Sequence, residues 1–126
     1  MKRLIGVVVG VAMAAGLVGC SSGPSPKCQA VSLERAATIL GSASGVTATA
    51  AGAVKSTEHS NAYYMAIRFT GPGWGEDGSV GVWAINDLTS GSAYSVDAFA
   101  EEVSGLARNE NFSTADRGAD EARSCV

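Results

Sequence analysis

The sequence is poor in the residues that carry chemistry. Its single histidine, His59, stands in the polar stretch Ser56–Asn61. A catalytic histidine needs a partnered nucleophile and an orienting acid. Serines abound, but no G-x-S-x-G or S-x-x-K pattern frames one. His59 therefore reads as an exposed loop residue, and the enzyme class has the least support. Basic side chains are few, and no basic patch exists, so nucleic-acid binding has no electrostatic footing. Glu76 and Asp77 share the glycine-rich stretch GPGWGEDG at 71–78, but the D-x-D-x-D-G spacing of a calcium loop is absent. The same stretch lacks the lysine of a phosphate cradle and reads as a solvated hairpin tip. No metal, cofactor or catalytic residue is assigned. Internal repeats are also absent. No apolar run reaches the roughly 18–20 residues that span a bilayer; the run Leu4–Val18 is fifteen residues long.

That short run is nevertheless the most informative segment. Lys2 and Arg3 precede it and small residues end it, the pattern of a secretory signal peptide over residues 1–19. Its last residues, Leu17-Val18-Gly19-Cys20, resemble the bacterial lipobox. The resemblance implies a diacylglycerol on the Cys20 thiol, cleavage before Cys20, and a further acyl chain, such as palmitate, on the new amino terminus. Two or more chains give stable anchoring where one binds only marginally. Residues 20–27, the lipidated cysteine and SSGPSPK, then form a flexible polar tether. The expected address is the extracytoplasmic side of the cell membrane.

Of nine Lys and Arg, Lys2 and Arg3 lie in the leader, leaving seven against twelve Asp and Glu, a net charge of about −5. That acidity favours solubility and repulsion from anionic lipid, so the domain should stand off the membrane. With Cys20 taken by lipid, Cys28 and Cys125 remain in an oxidising compartment and form the natural disulfide. Residues 28–126 suffice for one small domain.

Within that domain, Val31–Gly41 reads as a helix capped by Ser32, with Leu33, Ala36, Ala37 and Leu40 on its apolar face. Val46–Ala50 is a weak strand candidate. Ala62–Thr70 is the clearest strand, alternating Tyr63, Met65, Ile67 and Phe69 with Tyr64, Ala66, Arg68 and Thr70. Ser79–Asp87 is the second, and the two form a hairpin through 71–78. A second helix is expected over Val96–Arg108, capped by Ser95, with Val96, Phe99, Val103 and Leu106 packing on the sheet. Ala119–Arg123 reads as a helical turn that returns Cys125 to Cys28. The expected fold is α+β: an antiparallel sheet of three to four strands with two helices on one face, in α-β-β-β-α order.

The lipobox, the SSGPSP tether, Cys28 before a helix ending Leu40-Gly41, and a closing Cys125 resemble small secreted lipoproteins of actinobacteria, families of unassigned function. The resemblance implies a one-domain envelope lipoprotein and carries over no catalytic residue. The candidate role is a non-catalytic binding module for an envelope protein or component, with Trp74, Tyr64 and Trp83 as its surface if they share an uncovered sheet face. A carrier or sensor of a small apolar ligand ranks lower, because so short a domain leaves little room for a pocket. A phage- or prophage-encoded superinfection-exclusion lipoprotein is a further alternative.

Overall fold

The structure, a computed structural model, describes residues 27–41, 45–75 and 77–126. The leader, Cys20, the tether up to Pro26, and Glu76 lie outside the described residues. The described residues form eight elements in order: β1 (Gln29–Ala30), α1 (Leu33–Leu40), β2 (Thr47–Lys55), β3 (Tyr63–Thr70), β4 (Ser79–Ile85), β5 (Ala93–Ser95), α2 (Ala98–Ser104) and α3 (Arg117–Arg123). The strands form one antiparallel sheet in the order β1-β2-β3-β4-β5. The class is α+β as the sequence implies, but the sheet has five strands rather than three or four.

The layers also differ from expectation. Two helices do share a face: Ile39 and Leu40 of α1 and Ala100 and Val103 of α2 pack with Met65, Ile67, Phe69, Trp83 and Ile85. The other face is not open. There α3 lays Ala119 and Ala122 on Tyr64, Ala66, Val82 and Ala84. Close approach of α3 depends on two glycines. A Cβ at Gly118 would come 2.6 Å from Cδ2 of Tyr64, and one at Gly52 of β2 would come 2.7 Å from Cβ of Cys125. Only hydrogen fits at either position.

The disulfide Cys28–Cys125 closes this layer, with Cα atoms 5.7 Å apart. It ties the residue before β1 to Cys125, two residues past the end of α3. The α3 face is further held by Arg123, whose guanidinium meets Asp97 Oδ2 at 2.7 Å. The other carboxylate oxygen of Asp97 accepts from the Ala100 N–H at 2.8 Å and caps α2. One buried carboxylate thus links helices on opposite faces of the sheet.

Ser32 caps α1 as expected, accepting from the Arg35 N–H at 3.0 Å. The buried face of α1, however, is Arg35, Ala36, Ile39 and Leu40, while Leu33 is 49% exposed. The helix is rotated so that Arg35 faces inward, where loop carbonyls receive it. For α2 the expected bounds were too wide. Ser95 cannot cap it, because its backbone pairs with Trp83 in β5 and its hydroxyl donates to the Leu106 carbonyl at 2.8 Å. Asp97 caps instead. Gly105 adopts a left-handed φ of 72° and ends the helix. Val96 consequently packs on the α3 face, and Phe99 is left 52% exposed.

Candidate functional site

The three aromatics named from the sequence do not form one surface. Register separates two of them: Tyr64 pairs with Ala84 and Trp83 with Met65, so the two rings point to opposite faces. Both are buried, at 1% and 0% exposure, because each face carries helices. Trp83 Nε1 donates to Ser104 Oγ at 3.1 Å, fixing α2 over the ring. Tyr64 lies under Gly118 of α3 and its hydroxyl donates to Asp116.

Trp74 is half-buried. The 71–78 loop folds back over the sheet: the Trp74 N–H donates to the Gly71 carbonyl at 3.0 Å, and the Trp74 carbonyl accepts from Ser79 Oγ at 2.7 Å. Its ring meets Phe69 edge to face at 5.1 Å between centroids and Phe99 at 6.0 Å. The result is an aromatic step, Phe69–Trp74–Phe99, that descends into the core at one end and is open at Phe99 at the other. Asp77, beside it in the loop, is exposed. Phe99 was expected inside the core on helical periodicity; only the position of the α2 cap could have shown otherwise.

The position of this step matters. β3 spans roughly 20–25 Å. Trp74 lies just past its Thr70 end, whereas Lys27, where the described chain begins, lines a cleft with Val54 and Lys55 at the Tyr63 end. The start of the domain and the aromatic step therefore occupy opposite poles of the sheet.

Compared with known proteins, the chain matches no family model, and no curated protein or solved structure is similar to it. Among the described residues no helix is long and apolar enough to cross a membrane, and no group of three or more His, Cys, Asp and Glu is placed to hold a metal.

A second cluster joins residues that the sequence did not connect. Phe112 is its centre. His59 lies 4.6 Å from the Phe112 ring, Tyr64 meets it edge to face at 6.0 Å, and Tyr94 stacks on it at 6.4 Å. Asp116 accepts from Tyr64, which holds its carboxyl below the usual range. The hydrogen bond to Asp116, and its charge, push the Glu58 carboxyl up. The cluster also takes in Ser56, whose Oγ accepts from the Glu58 N–H at 3.1 Å and the His59 N–H at 2.9 Å. It ties the β2–β3 turn and the α3 approach to the sheet.

Burial first, and the Asp116 hydrogen bond second, raise the Tyr64 phenol well above its ordinary pKa of 10.0. An unfolded chain releases that proton near pH 10 while the folded chain keeps it. The group's stabilisation is therefore complete below pH 10 and is lost as pH rises above it. Chemical denaturation between pH 7 and 12 is expected to show this alkaline loss. Tyr64→Phe should be about 1.5 kcal/mol less stable at pH 7 yet show a flatter alkaline limb. An unchanged limb would place the phenol outside the titration.

Proposed function

We propose that the protein is a membrane-anchored envelope lipoprotein whose domain is a non-catalytic interaction module, and that the Trp74–Phe99 step is its contact surface. The observation that carries this reading is the half-exposed Phe99 set edge to face against the half-buried Trp74 at the pole away from Lys27. Aromatic anchors set in a supporting pocket dominate the energetics of contact surfaces. Phe69 beneath Trp74 supplies that support.

The lipid anchor gives the pole its direction. From Cys20 to Lys27 the tether reaches at most about 25 Å when fully extended. The anchored pole then faces the bilayer and the aromatic step faces outward, toward other envelope proteins. The net negative charge acts the same way, since it opposes contact with anionic lipid.

Site-specific photo-crosslinking in intact cells tests the reading. A crosslinker replacing Phe99 is expected to give a discrete protein adduct, and one replacing Thr57, exposed at the other pole, is expected to give none. Trp74→Ala should abolish the Phe99 adduct while leaving the protein folded. Equal adducts from both positions, or an adduct indifferent to Trp74, would remove the support for this surface.

A further inference from the structure

Among the described residues one buried side-chain nitrogen or oxygen lacks a hydrogen-bond partner: Nε of Arg35. The side chain is 6% exposed. Its Nη1 donates to the Gly91 carbonyl at 3.1 Å, and its Nη2 to the carbonyls of Asp87 at 3.2 Å and Ser90 at 2.8 Å. All three partners are neutral dipoles. No carboxylate among the described residues lies within ion-pair distance of it. Asp87 feels the Arg35 charge through space, but its Oδ1 is spent on the Thr89 N–H and hydroxyl and on the Ser90 N–H.

A guanidinium withdrawn from water is costly unless paired. Tying the 87–91 loop to α1 explains three of its five donors but leaves the guanidinium with no carboxylate in contact and Nε without a partner. Arg35 also forms part of the wall of two clefts. One carries Glu34, which repels anions. The other holds about 380 Å³ and is lined by Ile39 and Thr38 of α1, Ala93, Leu106 and Ala107. That volume falls in the range of small-molecule sites, and Ser92 and Tyr94 complete mixed walls, in which apolar side chains stand beside polar groups and one charged residue.

We propose that this second cleft binds a small monocarboxylate with an apolar acyl or aryl body, whose carboxylate compensates Arg35. The apolar body lies against Ile39, Ala93, Leu106 and Ala107. This goes beyond the contact surface at Trp74 and does not depend on it.

The test uses the full-length protein in lipid nanodiscs, with empty discs as blank, titrated calorimetrically with 4-phenylbutyrate and with its neutral amide. The acid is expected to bind, the amide about tenfold more weakly. Arg35→Gln should erase the difference between the two. Ala107→Trp, which fills the cleft and leaves Arg35 in place, should abolish binding of both; this variant keeps the test valid if Arg35→Gln does not fold. Trp74→Ala should change nothing here. Equal binding of acid and amide, binding of neither at millimolar concentration, or undiminished binding to Ala107→Trp would each overturn the proposal.

Discussion

Replacing both Cys28 and Cys125 with serine is expected to lower the unfolding free energy by about 4–5 kcal/mol, and Tm by something on the order of 20 °C. The magnitude follows from the 97-residue separation of the pair. Cross-linking so long a loop removes a large share of the unfolded chain's freedom. The bond also holds β1 against β2 and keeps α3 flat on the sheet over Gly52. β1 has only two residues and two paired positions in β2, so it has little else to retain it. Guanidinium unfolding of the full-length chain with and without reductant measures the same quantity independently. A midpoint unchanged by reduction, or an intact pair of free thiols before reductant is added, would contradict the account.

Trp83→Ala is expected to cost about 3–5 kcal/mol, the range for removing a large buried aromatic. The ring is fully enclosed. It runs beside Gly81, where a Cβ would come within 2.9 Å of its Cη2, and it supports α2 through Ala100 and the Ser104 hydroxyl. Trp83→Phe should cost clearly less, because most of the volume remains and Ser104 keeps its own bond to the Ala100 carbonyl at 2.6 Å. Had Trp83 belonged to an exposed patch, the alanine variant would lose no more than about 0.5 kcal/mol. Equilibrium denaturation of the two variants decides between these outcomes.

How much of this could be read in the sequence depended on side-chain size. β3 and β4 announce themselves, because large apolar residues alternate with a period of two. β2 was half seen. Its residues are Thr, Ala and Gly, which carry little hydrophobic contrast, and Gly52 reads as a break until Cys125 is found against it. The same reason hid the role of α3. Gly118, Ala119 and Ala122 are too small to look like a packing face, yet they cover Tyr64. Missing that layer is what made Tyr64 seem available for contact. Arg35 misled in the other direction: a charged residue in an amphipathic helix reads as surface, and only the distant carbonyls at 87–91 make its burial possible. The Asp97 cap likewise moved Phe99 outward, to the exposed end of the aromatic step.

The central proposal is that Cys20 is both the first residue and the anchor of the mature protein. Intact mass spectrometry of the protein extracted from membranes tests it directly. The expected mass is that of a chain starting at Cys20, increased by a diacylglyceryl group and an amide-linked acyl chain and reduced by the two hydrogens lost in the Cys28–Cys125 bond. A mass that corresponds to an unacylated chain, or to one that still begins at Met1, would contradict it.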